Sequence, residues 1–189
     1  MKSFTIYTPQ NANPSSGTIL AAVNDTIGFV PNVFAVIAES SPALKAFVAL
    51  NAEFSESSFD ATSREIIQTA ASVENACTYC VAGHTAFAET QNVSGDILEA
   101  IRNNQPIADT KLEALNQFTR SVVRSRGNIP ESDVEKFLDA GYTQAQVLEV
   151  ILGICVKTFS NLANNVIGIP LDDEFAEYEW QPNEQLQTA

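Results

Sequence analysis

The stretch Glu65-Ile66-Ile67-Gln68-Thr69-Ala70-Ala71-Ser72-Val73-Glu74-Asn75-Ala76-Cys77-Thr78-Tyr79-Cys80-Val81-Ala82-Gly83-His84 decides how the rest of this 189-residue chain is read. Cys77 and Cys80 are three apart and Cys80 and His84 four apart, so on a helix all three line one stripe. His84 is the only histidine of the chain. Asn75 reads as the cap of a helix from Ala76 to about Gln91, which puts Cys77 in the first turn. Free N–H groups and the positive dipole end stabilise a thiolate there, and the two sulfurs are close enough to close a disulfide. If the chain reverses near Asn75, Glu65 and His84 stand roughly 14 Å from the turn on opposite arms of a helical hairpin, at ~1.5 Å rise per residue. A carboxylate level with an imidazole fixes its tautomer and raises its basicity.

Working outward, the signals stay helical. Strand-like alternation of Val, Ile and Thr never runs long enough to count. Ser41-Pro42 reads as a cap and first helical residue, with the helix running to about Glu56. Asp60 or Thr62 opens the helix that carries Glu65. Ser94 and Asp109 cap the next two, and Gly127 with Pro130 stops the second of them. A short helix follows from Glu131 to Ala140. Thr143 with Gln146 forms a capping box for a long last helix to about Asn165. That helix is apolar nearly all round, which predicts burial on all sides. The expected architecture is an all-α, compact multi-helix orthogonal bundle with the dithiol at the start of a central helix. Residues 1–17 read as a polar arm, 18–170 as the helical domain and 171–189 as an acidic, aromatic tail that wraps the surface.

A formal net charge of −13 argues against nucleic acid and against an anionic membrane surface. The one basic cluster, Arg120, Arg124 and Arg126, sits at a helix end where cations favour the dipole. No window approaches ~18 unbroken apolar residues, so no bilayer span is expected. No leader-like apolar segment follows Met1, and three cysteines without one fit a reducing, cytoplasmic compartment. There a Cys-x-x-Cys pair is redox-active or metal-binding more often than a passive staple.

Each candidate has a plainer reading. Glu65, three residues after Thr62, also fits a capping box. Cys77, Cys80, His84 and Glu65 could hold zinc, although structural zinc usually draws its ligands from two separated loops. Tyr79, Phe87 and Tyr142 read as packing, Glu74 and Glu89 as solvated, and Cys155 as a small inert hydrophobe inside the last helix.

Glu65 twelve residues before Cys77, followed by Cys-Thr-Tyr-Cys-Val-Ala-Gly-His, resembles the core of the alkylhydroperoxidase D-like proteins of the carboxymuconolactone decarboxylase superfamily. Gly28-Phe29-Val30-Pro31-Asn32-Val33-Phe34, Ser41-Pro42-Ala43-Leu44 and Asn161-Leu162-Ala163-Asn164-Asn165 extend the resemblance to its peroxidase-related branch, over about Thr18 to Trp180. The resemblance implies a helical fold that assembles into dimers, trimers or hexamers. It also implies a dithiol that reduces hydroperoxides, or passes electrons to a peroxiredoxin, through a relay of Glu65, His84 and bound water. One position departs: better-studied members carry a histidine directly before the second cysteine, and here Tyr79 stands there. Decarboxylase members lack the dithiol.

The expected reaction is a thiol-dependent hydroperoxide reduction. Cys80 attacks the O–O bond and becomes a sulfenic acid, and Cys77 resolves it to a disulfide. An external dithiol, lipoamide-like or a thioredoxin-like protein, then attacks Cys77 at the exposed helix end. The greater acidity of the first cysteine in other Cys-x-x-Cys proteins would reverse the two roles. Two alternatives stand beside it: a dithiol–disulfide reductase with little peroxide activity, which Tyr79 favours, and a non-enzymatic redox-sensing helical oligomer. No Gly-rich phosphate loop follows a strand, so no bound nucleotide or flavin is expected.

Overall fold

Five of the nine α-helices among the described residues start behind a short polar side chain (Asn13, Ser40, Asp60, Asp109 and Thr143) that takes over an orphan backbone N–H group. The computed structural model describes residues 4–182. These form α1 (Pro14–Ile27), α2 (Asn32–Ile37), α3 (Ser41–Ser55), α4 (Ala61–Glu74), α5 (Thr78–Thr90), α6 (Gly95–Arg102), α7 (Thr110–Arg124), α8 (Glu131–Asp139), α9 (Gln144–Ile167) and a 3-10 helix (Asp173–Tyr178). No strand occurs among the described residues.

The Asp109 carboxylate accepts from Lys111 N and Leu112 N, and Thr143 with Gln146 completes the expected capping box. Three boundaries differ from the expected ones. Ser40, not Ser41, caps α3, so Pro42 falls one residue deeper. The arm ends early because Asn13 caps α1 and accepts from Ser16 N at 3.0 Å, with Pro14 as the first helical residue. Asn-Pro-Ser-Ser reads as a turn in isolation. Here the Ser16 hydroxyl donates to Ala38 O at 2.8 Å, so a tertiary bond holds the helical form. Asn75 is the C-cap of α4, not the N-cap of α5.

Helix α4 is the central element, packed against α5, α6, α7 and α9, while α3 lies on α9. Its apolar side chains Ile66, Ile67, Ala70 and Val73 are fully buried. The Glu74 side chain, expected in solvent, is only 5% exposed. Arg120 Nη1 and Arg124 Nη2 each donate to its Oε1 at 2.8 Å. Arg120 is buried too and also donates to Asn104 Oδ1, Asn116 Oδ1 and Ile101 O. The supposed dipole-facing cation is therefore a structural ion pair between α4 and α7.

Gly153 is where α9 crosses closest. A Cβ there would lie 2.7 Å from the Phe54 ring and 2.8 Å from Ile67 Cγ2. Both neighbours are buried and cannot swing away. Gly153→Ala should destabilise the fold, because overpacking costs about 1–3 kcal/mol and the gain in helix propensity is only about 1 kcal/mol. Urea unfolding checks this: the midpoint falls while the slope stays unchanged.

The expected all-round burial of α9 is not what the structure shows. Leu148 (68% exposed), Ile151, Leu162 and Val166 form an exposed apolar stripe, and Cys155 lies exposed among them. By length and composition α9 could cross a bilayer. Its other face, however, carries the buried Lys157, Ser160 and Asn161.

After α9 the chain returns across α5 as a strap. Arg102 donates to Tyr178 O and Glu179 O, both at 3.1 Å, and Trp180 Nε1 donates to Arg102 O at 3.0 Å. Residues 183–189 of the expected wrapping tail lie outside the described residues.

Candidate active site

One tight turn joins α4 to α5. Ala76 adopts a left-handed φ of 49°, Ala76 N donates to Val73 O and Cys77 N donates to Ser72 O. This is a Schellman closure with alanine where glycine is usual, at a cost of about 1–2 kcal/mol. It makes Cys77 at once the last residue of one helix cap and the N-cap of the next helix. Cys80 then falls in the first turn of α5 and His84 one turn further on.

Asparagines of α9 stitch this turn in place. Asn75 Nδ2 donates to Asn161 Oδ1 at 2.9 Å, Asn161 Nδ2 to Ser72 Oγ at 3.3 Å, and Asn165 Nδ2 to the Asn75 carbonyl at 2.9 Å. One turn before Asn161, the same face of α9 presents Lys157 and Ser160 to the dithiol helix.

The structure brings together all four residues singled out from the sequence. The Thr62 capping-box reading of Glu65 fails, because Asp60 caps α4 by accepting from Ser63 N at 2.7 Å. Glu65, 4% exposed, instead accepts from His84 Nδ1 at 2.9 Å through Oε2 and from Gln91 Nε2 at 2.8 Å through Oε1. The other imidazole nitrogen, Nε2, lies 2.7 Å from Lys157 Nζ. With Nδ1–H donated to the carboxylate, Nε2 carries a lone pair and accepts from the Lys157 ammonium. The chain Gln91–Glu65–His84–Lys157 is thus continuous, with Glu65 and Lys157 buried, His84 half-buried and Gln91 at its exposed end.

The two sulfurs are both reduced and differ sharply. Burial by itself pushes the Cys80 thiol up. The hydrogen bond from Cys77, the Lys157 charge, His84 and the Ser160 hydroxyl at 3.8 Å outweigh it and bring Cys80 down to about 5. Donating that hydrogen bond, and being buried, pushes the Cys77 thiol well up. Cys77 is fully buried, so the exposed helix-end sulfur expected from the sequence does not exist.

Cys80, His84, Lys157, Glu65 and Ser160 line a cavity of about 280 Å³. Its far wall is aromatic, formed by Phe34, Phe47, Phe87 and Phe175. Phe87 and Phe175 meet edge to face at 5.4 Å, and Phe34 and Phe47 are tilted at 5.0 Å. Phe87 and Tyr79, read as packing, both line this cavity, while Tyr142 does stack on Phe137 in the core.

Tyr79 has a second set of partners. Its hydroxyl donates to Asp172 Oδ2 at 2.5 Å and accepts from Val33 N at 3.1 Å. Asp172 also accepts from Asn32 N at 3.0 Å. The residue directly before Cys80 therefore anchors the strap and α2.

Three members of the site were missed from the sequence: Gln91, Lys157 and Ser160. Gln91 is exposed at the end of α5 and gives no signal. Lys157 did give one, since it is the only basic residue of α9.

Comparisons with known proteins bear on the fold. Residues 42–120 match the carboxymuconolactone decarboxylase family. No curated protein matches the chain. Among solved structures, a peroxidase-related protein of Ralstonia eutropha JMP134 with an alkylhydroperoxidase AhpD core superposes with a TM-score of 0.82 at 23% identity, over 91% of this chain and 93% of that one. A peroxidase-related protein of Silicibacter sp. TM1040 gives 0.77 at 20% identity, covering 87% and 88%. The debrominase Bmp8, solved as its C82A variant with 2,3,4-tribromopyrrole, gives 0.75 at 14% identity, covering 87% and 89%.

Proposed function

We propose that this chain, a member of the alkylhydroperoxidase D-like branch of the carboxymuconolactone decarboxylase superfamily, is a thiol-dependent hydroperoxide reductase that cycles between a Cys77/Cys80 dithiol and disulfide. One observation carries the reading: the Glu65–His84–Lys157 chain ends at the cavity that the acidic sulfur, Cys80, lines.

The Cys80 thiolate attacks the terminal oxygen of ROOH, the O–O bond breaks, and Cys80 becomes a sulfenic acid while alkoxide leaves. The proton given up earlier by the Cys80 thiol is held on the Lys157–His84 pair and passes to the alkoxide, giving ROH. Glu65 holds His84 in the tautomer that accepts from Lys157. Cys77 then attacks the sulfenic sulfur, its proton leaves with the hydroxyl as water, and the disulfide closes. An external dithiol restores the pair. The incoming thiolate meets Cys80 through the cavity, because Cys77 is covered on all sides. A lipoamide-like dithiol, a dithiol-carrier protein or a peroxiredoxin partner remains the proposed exchange partner, and the exposed stripe of α9 supports assembly with further copies of the chain.

Stopped-flow mixing of the reduced protein with cumene hydroperoxide tests the reading by counting thiols. Two should vanish per chain, and Glu65→Gln and His84→Ala should slow the loss by about 100-fold, the usual scale of general acid–base help. Thiols that persist against peroxide but disappear with oxidised lipoamide would make the protein a dithiol–disulfide reductase.

The aromatic wall favours a second electrophile, a small halogenated ring of the kind held by the debrominase. Two thiols and ring–Br would give ring–H, disulfide and HBr. Bromide release from 2,3,4-tribromopyrrole in the same apparatus separates the two readings.

A further inference from the structure

Beside the cavity at Cys80, past Phe34, lies further apolar space. A groove of about 510 Å³ runs between α1 and α3 and shares Ile27, Phe34 and Asn51 with the cavity. No charged side chain lines this groove. Its few polar side chains are turned inward: Thr18 Oγ1 donates to Pro14 O, Thr26 Oγ1 to Ala22 O, and Asn51 Nδ2 to Phe47 O. These donors are spent on carbonyls of their own helices, so the surface left for a ligand is mostly methyl, methylene and the Phe34 ring.

We infer that the α1–α3 groove holds the uncharged hydrocarbon tail of a substrate whose reacting end meets Cys80, which makes that substrate a medium- to long-chain alkyl compound. The inference rests on Cys80 being the reacting sulfur. Three shared wall residues, Ile27, Phe34 and Asn51, set the groove directly beside the cavity, so a chain leaving Cys80 past Phe34 has only those side chains to displace before it enters the groove. A terminal carboxylate would find no cation there, and the net charge of −13 repels an anion at longer range. The polar groups beside the sulfur, Lys157 and Ser160, line the cavity and not the groove, so they are left for the polar head.

Alkylation of Cys80 by iodoacetamide in the reduced full-length protein reads this site without any turnover. Straight-chain 1-alkanols from butanol to decanol serve as unreactive probes, with the alkylated residue identified by mass spectrometry. The half-protecting concentration should fall about fourfold per added methylene as far as octanol, the factor that ~0.8 kcal/mol per buried CH₂ corresponds to. Ala22→Trp and Ala52→Trp, both at exposed positions on the groove rim, should flatten this dependence beyond butanol and leave the alcohol-free alkylation rate unchanged. Octanol protecting no better than butanol would overturn the inference, as would a chain-length dependence that survives both variants. Hydroperoxide consumption is a separate readout. Its absence with the chain-length dependence intact would sink the peroxidase reading and leave the tail site standing.

Discussion

A Cys80→Ser protein should consume hydroperoxide no faster than buffer does, whereas Cys77→Ser should still consume one equivalent per chain at close to the normal first-turnover rate. The asymmetry follows from the positions of the two sulfurs. Cys80 lines the cavity, and Lys157, His84 and Ser160 favour its charged form. Cys77 is fully buried, lies outside the cavity lining, and has its thiol pushed up by the hydrogen bond it donates to Cys80. Only a thiolate attacks peroxide at a useful rate, so removing Cys80 removes the nucleophile, an effect of about 1,000-fold or more. Removing Cys77 leaves the first step intact and blocks the second. Sulfenic acid should then persist on Cys80, be trapped by dimedone, and advance to sulfinic acid with excess peroxide. Mass spectrometry of the two variants after one equivalent of cumene hydroperoxide decides it. A dimedone adduct on Cys77 of the Cys80→Ser protein would reverse the roles.

The part of this site legible in the sequence was the part governed by helix periodicity. Cys77, Cys80 and His84 share a stripe because offsets of three and four residues share a face. Glu65 meets His84 because equal path lengths from a turn end at equal heights. The error at the turn itself, with Asn75 read as an N-cap, was small enough to leave that register intact. Ala76 in a left-handed conformation was invisible, since alanine carries no signal for it and the Schellman closure depends on the two helices already being packed. Burial was the harder quantity. Cys77 at a helix start looked exposed, yet the packed turn covers it. Cys155 in an apolar run looked covered, yet it lies on the outer stripe with Leu148 and Leu162. An all-round apolar helix states that both faces avoid water without saying which face meets its own domain. Lys157 was missed for a related reason. Its partner is 73 residues away, and only tertiary packing of α9 across the α4–α5 hairpin joins them. A lone cation in a helix read as wholly buried was itself the clue, because a buried ammonium requires a partner.

Lys157→Met should move the pH at which Cys80 becomes reactive upward and slow its reaction at pH 7, by up to roughly 30-fold for a thiol that reaches the free-cysteine range. Cys80 is an acid whose ionisation is shifted down, to about 5, so its thiolate is nearly complete at neutral pH. After the hydrogen bond from Cys77, the Lys157 charge is the strongest influence lowering it. Without that cation the thiol rises toward the range of free cysteine, about 8.5, where only a few per cent is thiolate at pH 7. Desolvation drives it that way, and the hydrogen bond from Cys77 holds part of the shift. The direction is fixed: a thiol moved up loses activity as the pH falls through its new, higher midpoint, so the wild-type plateau near neutrality becomes a slope rising into the alkaline range. Methionine fills the stem volume and leaves no unpaired charge, although His84 Nε2 loses its donor, a loss of about 1–3 kcal/mol in stability. The alkylation rate of Cys80 against pH, together with its ultraviolet thiolate absorbance, separates the two effects. A residue that only held α9 in place would lower the unfolding midpoint and leave the pH profile where it was. Lys157→Arg should restore much of the low-pH reactivity by restoring the charge, and should fall short of full rescue because a planar guanidinium cannot sit 2.7 Å from the imidazole as the compact ammonium does. A Lys157→Met protein with the wild-type pH profile would mean that Cys77, Ser160 and the start of α5 hold the thiolate unaided, and that the buried ammonium serves His84 alone.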